Sequence, residues 1–269
     1  MIHSNSEGDI YIEEMPLLLV HLREEEKGAD ARLSEVLSYA LDGYVYETAT
    51  EISTFEDYVN RWRRLEKTQN RKNPVQGRIL FAVPLGTSGI NLELYRLIRF
   101  LREHPDFLNG FVGGLLVDSE NDLYSKSAAK DLVFAANCAG CAFVGRPLVE
   151  GTRTLSNYTI VSNNLGTDLM GAYRESAAGL VKEVLGTDCV RKKCPKVLVL
   201  HASSHKTSNT YAIWDRVKEQ LPEMEIREIG LRNGTLSDCA GCPYKMCLHF
   251  GEQGSCFYGG VMVEDVYPA

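Results

Sequence analysis

The sequence predicts an α/β protein built on a doubly wound parallel sheet. Two observations lead there. Short apolar runs alternate with one-faced helical patterns along residues 15–185, and the same alternation restarts at Val197. Strands that alternate with helices form parallel sheets covered on both faces.

MPLLLVHL (15–22) reads as a buried strand, and Ala31 to Leu41 has apolar residues at helical spacing. Tyr44 to Thr48 is a short second strand. Phe55, Tyr58, Val59, Trp62 and Leu65 then fall on one helix face. RILFAVPLG (78–86) is a third strand, ended by Pro84 and Gly86, and Leu92 to Leu101 is a helix. FVGGLLVD (111–118) is a fourth strand, Ser127 to Ala136 a helix and AFVGRP (142–147) a fifth strand. Leu165 to Leu185 closes this first domain, residues 1–185. GTDCVRKKCP (186–195) reads as a linker.

The second domain, residues 196–269, restarts with a strand at Val197 to Leu200. Tyr211 to Leu221 is a helix with Trp214 and Val217 inward, and Glu225 to Ile229 is a second strand. A cysteine-rich loop follows. This half supplies two strands where a doubly wound domain usually has five.

Composition excludes some functions. The 269 residues carry a net charge of −7, which disfavours nucleic-acid and anionic-membrane partners. The basic cluster Arg61, Arg63, Arg64, Lys67, Arg71 and Lys72 is local and reads as a solvated helix face. No secretory pattern opens the sequence, and runs such as Met15 to Val20 are too short to span a bilayer. Eight cysteines without a secretory signal point to a reducing cytoplasm, where grouped thiols serve metals or redox chemistry more often than disulfides.

The segment Lys196 to Thr210, KVLVLHASSHKTSNT, carries the most chemistry. An apolar strand runs into a loop of small hydroxyl residues that opens a helix. Free N–H groups and the positive end of the helix dipole favour an anion there. Ser203, Ser204, Thr207, Ser208, Asn209 and Thr210 add donors, and His205 and Lys206 add positive charge. A strand's carboxyl end is where open α/β sheets bind ligands, so a phosphate-bearing cofactor is expected.

This segment, followed after the second strand by Asp238, Cys239, Ala240, Gly241 and Cys242, resembles the NADPH-dependent FMN reductase and iron–sulfur flavoprotein family, which has the flavodoxin-like fold. The resemblance implies that Ser203, Thr207, Ser208, Asn209 and Thr210 cradle the FMN phosphate. His205 stands where the family usually has arginine, and Ser204 and Ser208 replace its Pro and Gly. The family's third-strand loop, which holds the flavin ring, would follow residue 269. The expectation is therefore a truncated form of a longer reductase with low FMN affinity. The first domain resembles a complete but degenerate copy of the same fold, matched at 78–101, at 111–118 and at AFVGRPLVEG. Its own first loop sets Glu24, Glu25 and Glu26 where phosphate oxygens would go, which opposes FMN. Thr87, Ser88 and Gly89 read as a helix N-cap with a glycine turn, with anion binding as the rival.

Cys239, Cys242, Cys247 and Cys256 form C-x2-C-x4-C-x8-C. Four thiolates in one loop suit a [4Fe–4S] cluster or structural zinc, and small loop residues without metal are the third reading. The resemblance implies a tighter spacing in cluster-binding members. Cys138 and Cys141 lie at the carboxyl end of a predicted helix, which does not lower a thiol pKa, so packing is preferred. Cys189 and Cys194 are linker thiols, and His21 and His201 read as satisfied strand-end residues.

The expected function is an FMN-dependent oxidoreductase. Flavin carries the hydride or electrons, NADPH or NADH is the donor, and a small molecule is the acceptor. Two alternatives stand beside it. One is a non-catalytic flavodoxin-like interaction module whose open sheet edge allows a homodimer. The other is an iron–sulfur or zinc protein centred on the cysteine loop.

Overall fold

A computed structural model describes residues 15–23, 27–68, 76–188, 195–202, 208–231 and 241–268. The chain divides into two compact units, residues 1–189 and 190–269.

Unit 1 is an α/β sandwich of three layers. Its strands are β1 (Leu17–His21), β2 (Tyr46–Ala49), β3 (Gly77–Leu85), β4 (Phe111–Ser119) and β5 (Ala142–Gly151). They lie in the order β2-β1-β3-β4-β5, and every pairing is parallel. That order is the flavodoxin-like form of the doubly wound sheet, with its topological switch point between β1 and β3. The helices are α1 (Lys27–Ala40), α2 (Ile52–Thr68), α3 (Leu92–Glu103), α4 (Ser125–Cys138), α5 (Thr159–Leu165) and α6 (Leu169–Gly186).

The strand alternation explains how both faces are filled. Leu18 and Val20 of β1, with Ile79, Phe81 and Val83 of β3, join a core with Phe55, Tyr58 and Trp62 of α2 and Leu97 and Leu101 of α3. Leu17 and Leu19, with Leu80, Ala82 and Leu116, join the opposite core with Leu33, Val36 and Leu37 of α1 and Leu180, Val181 and Val184 of α6. Successive side chains point to opposite faces, so an apolar run such as LLLV feeds both cores. A Cβ at Gly114 in β4 would sit 2.7 Å from Val184 Cγ2, so the glycine lets α6 approach the sheet closely.

Element boundaries differ from the sequence reading in several places. The closing helix expected over Leu165 to Leu185 is α6, which starts at Leu169, and a separate helix, α5, precedes it. Gly166 terminates α5 at φ 66°, and the Asp168 carboxylate caps α6 by accepting from the Gly171 N–H at 2.6 Å. Another difference is the start of α3. Its N-cap is Asn91, whereas Thr87, Ser88 and Gly89 form a turn ahead of the helix.

Unit 2 contains β6 (Lys196–His201), α7 (Asn209–Lys218), β7 (Glu225–Gly230) and α8 (Tyr244–Glu252), then a π-helical turn at Met262–Val266. β6 and β7 pair in parallel, from Lys196 beside Glu225 to His201 beside Gly230. Among the described residues, Ile229 is the only buried hydrophobic side chain of this unit. Val217, expected to face inward, is 44 % exposed, because a two-stranded sheet offers α7 too little surface to cover it. Among the described residues, no helix is long and apolar enough to cross a membrane.

Candidate functional site

In unit 2 the chain leaves β6 at His201 and enters α7 at Asn209. Ser203, Ser204, His205, Lys206 and Thr207 lie outside the described residues. Ser208 is the N-cap of α7, and its hydroxyl accepts from the Tyr211 N–H at 3.4 Å. Asn209 and Thr210 are exposed in the first turn, which contains no acidic residue. Helix-start amides, a capping hydroxyl and two uncharged polar side chains therefore meet at the carboxyl end of a parallel strand. This donor set suits an anion.

The rest of the unit orients that turn. His201 meets the Tyr211 ring edge-on at 5.2 Å. The Tyr211 hydroxyl donates to Glu228 at 3.4 Å, and Lys218 also bonds Glu228. The Lys218 ammonium holds the Glu228 carboxyl below its ordinary range. Along the carboxyl half of β7 a cleft of about 560 Å³ is lined in part by Arg227, Glu228, Glu264 and Asp265. Glu264 accepts from the Gly260 N–H at 3.0 Å, and Asp265 stands 3.7 Å from Arg227. Three carboxylates on its wall make this cleft a poor phosphate site.

Of the four-cysteine set, Cys239 lies outside the described residues. Cys242 is half-buried just ahead of α8, whereas Cys247 on α8 and Cys256 beyond it are exposed. Among the described residues, no group of three or more His, Cys, Asp or Glu side chains is arranged to hold a metal ion.

In unit 1 the carboxyl ends of β4 and β5 are tied to α1 by residues that the sequence reading passed over. Arg32 of α1 reaches across β4 and β5. Its Nη2 donates to Asp118 Oδ1 at 2.6 Å, to the Thr152 carbonyl at 3.0 Å and to the Ser119 carbonyl at 3.1 Å. Its Nε also donates to Asp118, and Nη1 donates to the Arg153 carbonyl. Asp118 is fully buried. Burial pushes its carboxyl up, and the bonded guanidinium opposes that shift. The Tyr173 hydroxyl beside it is raised well above its ordinary value, first by burial and then by the Asp118 charge. Arg32 therefore spends its donors on the protein itself.

At the switch point, Asn91 ties three elements together. Its side-chain oxygen accepts from the Leu94 N–H at 2.9 Å, and its amide donates to the carbonyls of Leu22 (3.0 Å) and Pro84 (2.8 Å). His21, at the end of β1, bonds Asp30 of α1 through Nε2 at 2.7 Å. Burial lowers the His21 pKa, and Asp30 opposes the shift. His21 thus has a carboxylate partner, whereas the buried Nδ1 of His201, expected to be satisfied, has no hydrogen-bond partner among the described residues.

The turn at Thr87 to Gly89 is held internally, because the Ile90 N–H donates to Ser88 Oγ and Asn121 donates to the Thr87 carbonyl. Cys141 is buried and its thiol donates to the Ala142 carbonyl, whereas Cys138 is exposed at the last residue of α4. Glu24, Glu25, Glu26, Cys189 and Cys194 lie outside the described residues. The position of Asn91 just before an apolar-periodic run was a legible cap signal. The Arg32–Asp118 pairing, 86 residues apart, left no local sign.

No protein-family profile matches the chain, and no curated protein is significantly similar to it.

Proposed function

We propose that the chain is a flavodoxin-like, NAD(P)H-dependent FMN oxidoreductase that holds the flavin phosphate at the β6–α7 turn. The observation that supports this reading is the parallel β6–α7–β7 crossover. It brings an acid-free helix start, capped by Ser208, to the carboxyl end of β6. Ser208, Asn209 and Thr210, with Ser203, His205, Lys206 and Thr207 of the preceding loop, are the phosphate-binding residues in this reading. Backbone amides and hydroxyls bind the phosphate, and the helix dipole favours its charge. When bound, FMN supplies the electron transfer between NADPH or NADH and a small-molecule acceptor. The protein binds and orients it.

Unit 1 is, on the same proposal, a degenerate copy of the fold with a structural role, since Arg32 is consumed by Asp118 and by carbonyls. The cysteine loop is the place for a [4Fe–4S] cluster or zinc, with Cys239, Cys242, Cys247 and Cys256 as ligands. On the same proposal, the chain works in the cytoplasm, which its grouped cysteines suit.

A second reading has its own support. Leu198, Leu200, Ile213 and Val217 of unit 2 are all at least 37 % exposed, as expected of a module that covers them with a partner or a second copy.

Anaerobic protein is mixed with FMN, desalted and scanned in the visible. Retained flavin absorbance that is lost in the Asn209→Asp/Thr210→Val variant supports the site. Protein that emerges colourless overturns it and leaves the interaction reading. Iron and zinc analysis of the same sample decides the cysteine loop.

A further inference from the structure

The carboxyl edge of the unit 1 sheet carries a cleft that the flavin reading does not use. It has a volume of about 490 Å³ and lies between the start of α4 and the segment after β5. Its polar groups are recessed: Ser125 and Thr152 are buried, and the Glu150 side chain is only 14 % exposed. Ser125 Oγ donates to Glu150 Oε1, while, among the described residues, the cation paired with Oε2 is Lys126, 3.9 Å away and itself 78 % exposed. The opposite wall is fixed from behind. Asn157 donates to the Glu150 carbonyl at 2.8 Å and accepts from the Thr152 hydroxyl at 3.0 Å. Asp122 lines the outer wall, and the 53 % exposed Tyr124 ring forms the rim. Tyr124 takes a left-handed backbone (φ 72°), and its ring lies so close to Gly89 that a Cβ there would be 2.5 Å away.

The chemistry of the lining selects the ligand class. An apolar guest would strip water from Glu150 without replacing its hydrogen bonds. An anion would meet Glu150 and Asp122. A cation would meet Lys126 and the positive end of α4, whose first turn has no side-chain cap. Hydroxyl groups both donate and accept, so they answer the carboxylates and the α4 amides together with no charge to desolvate. The C–H face of a ring carrying them packs on Tyr124.

We infer that this cleft binds a neutral polyol: a sugar, either free or as the ribose of a nucleoside. The site is separate from β6–α7 and does not depend on flavin binding there.

Saturation-transfer NMR on the full chain tests this with D-ribose, D-glucose, adenosine and putrescine as probes. Transfer is expected to a sugar ring, and its presence with ribose or glucose, or with adenosine alone, tells free sugar from nucleoside. Glu150→Gln removes a charge-assisted acceptor and should weaken binding about tenfold. Ser127→Trp, at an exposed position on the lining, should abolish it. Transfer to putrescine alone, to none of the probes, or to a sugar unchanged in Ser127→Trp overturns the assignment.

Discussion

In unit 1, β1 reads LLLVH and all five residues are buried. In unit 2, β6 reads KVLVLH, nearly the same apolar content, yet its residues alternate between exposed and half-buried. The difference lies in the neighbours. β1 runs between β2 and β3 and has α1 and α6 over one face and α2 and α3 over the other. Among the described residues, β6 pairs only with β7, in a two-stranded sheet. Burial of a strand is therefore a property of the layers around it rather than of its own hydropathy. Two strands and their crossover helix do not close a core.

The largest expected effect tests that contrast at matched positions. Leu18 is 1 % exposed and Leu198 is 37 % exposed. Leu18→Ala leaves a cavity in a core that cannot collapse and should cost about 3 kcal/mol. Leu198→Ala should cost about 1 kcal/mol or less, since much of that side chain is already in water. Each unit has its own fluorescent reporter, Trp62 in α2 and Trp214 in α7. Urea unfolding in Trp214→Phe and Trp62→Phe backgrounds reads the two losses separately. Equal losses would break the comparison, because β6 would then have to be packed as tightly as β1.

A smaller effect compares two helix caps. Asn91→Ala removes the α3 cap and strips the donors from the carbonyls of Leu22 and Pro84, all at a fully buried position. The loss should be about 2 kcal/mol, a cap plus stranded buried acceptors. Ser208 caps α7 through a long bond at a half-buried position, so Ser208→Ala should cost about 0.5–1 kcal/mol. The same unfolding curves measure both. A Ser208→Ala loss as large as that of Asn91→Ala would mean that the β6–α7 turn is as firmly built as the switch point of unit 1.

What was legible in the sequence follows the same division. Strands and helices of unit 1 could be read because each repeats its pattern over several residues: Phe55, Tyr58, Val59 and Trp62 are all in the core as their spacing implied. α5 was missed because Thr159 to Leu165 is only seven residues long and carries Thr159, Ser162, Asn163 and Asn164 among its apolar positions. α8 was missed because glycines and cysteines on either side of Tyr244 to Glu252 read as loop. The edge of unit 1 was the least legible part. Arg32 meets Asp118, Thr152 and Arg153, and the cleft unites Ser125 with Glu150, only after the sheet has formed. At the β6–α7 turn the hydroxyl pattern was clear in sequence, and the structure adds the cap at Ser208 and the exposure of Asn209 and Thr210.

The smallest effect is in the pH dependence of unit 1. His21 ends β1, is 5 % exposed and bonds Asp30, and burial sets its pKa below the ordinary 6.5 despite the carboxylate. The folded state therefore keeps the ring neutral, and as pH falls the unfolded chain takes up the proton first. By linkage, the contribution of this histidine is complete above 6.5 and is lost as pH falls through the lowered folded value. Between neutral pH and about pH 5, above the range where carboxylates titrate, Trp62-reported stability should decline in the parent protein. In His21→Gln that slope should flatten, even if the variant is less stable throughout because Asp30 has lost its partner. A parent curve that is level over this range, or one that rises as pH falls, would show that Asp30 outweighs burial and that the end of β1 favours the charged ring.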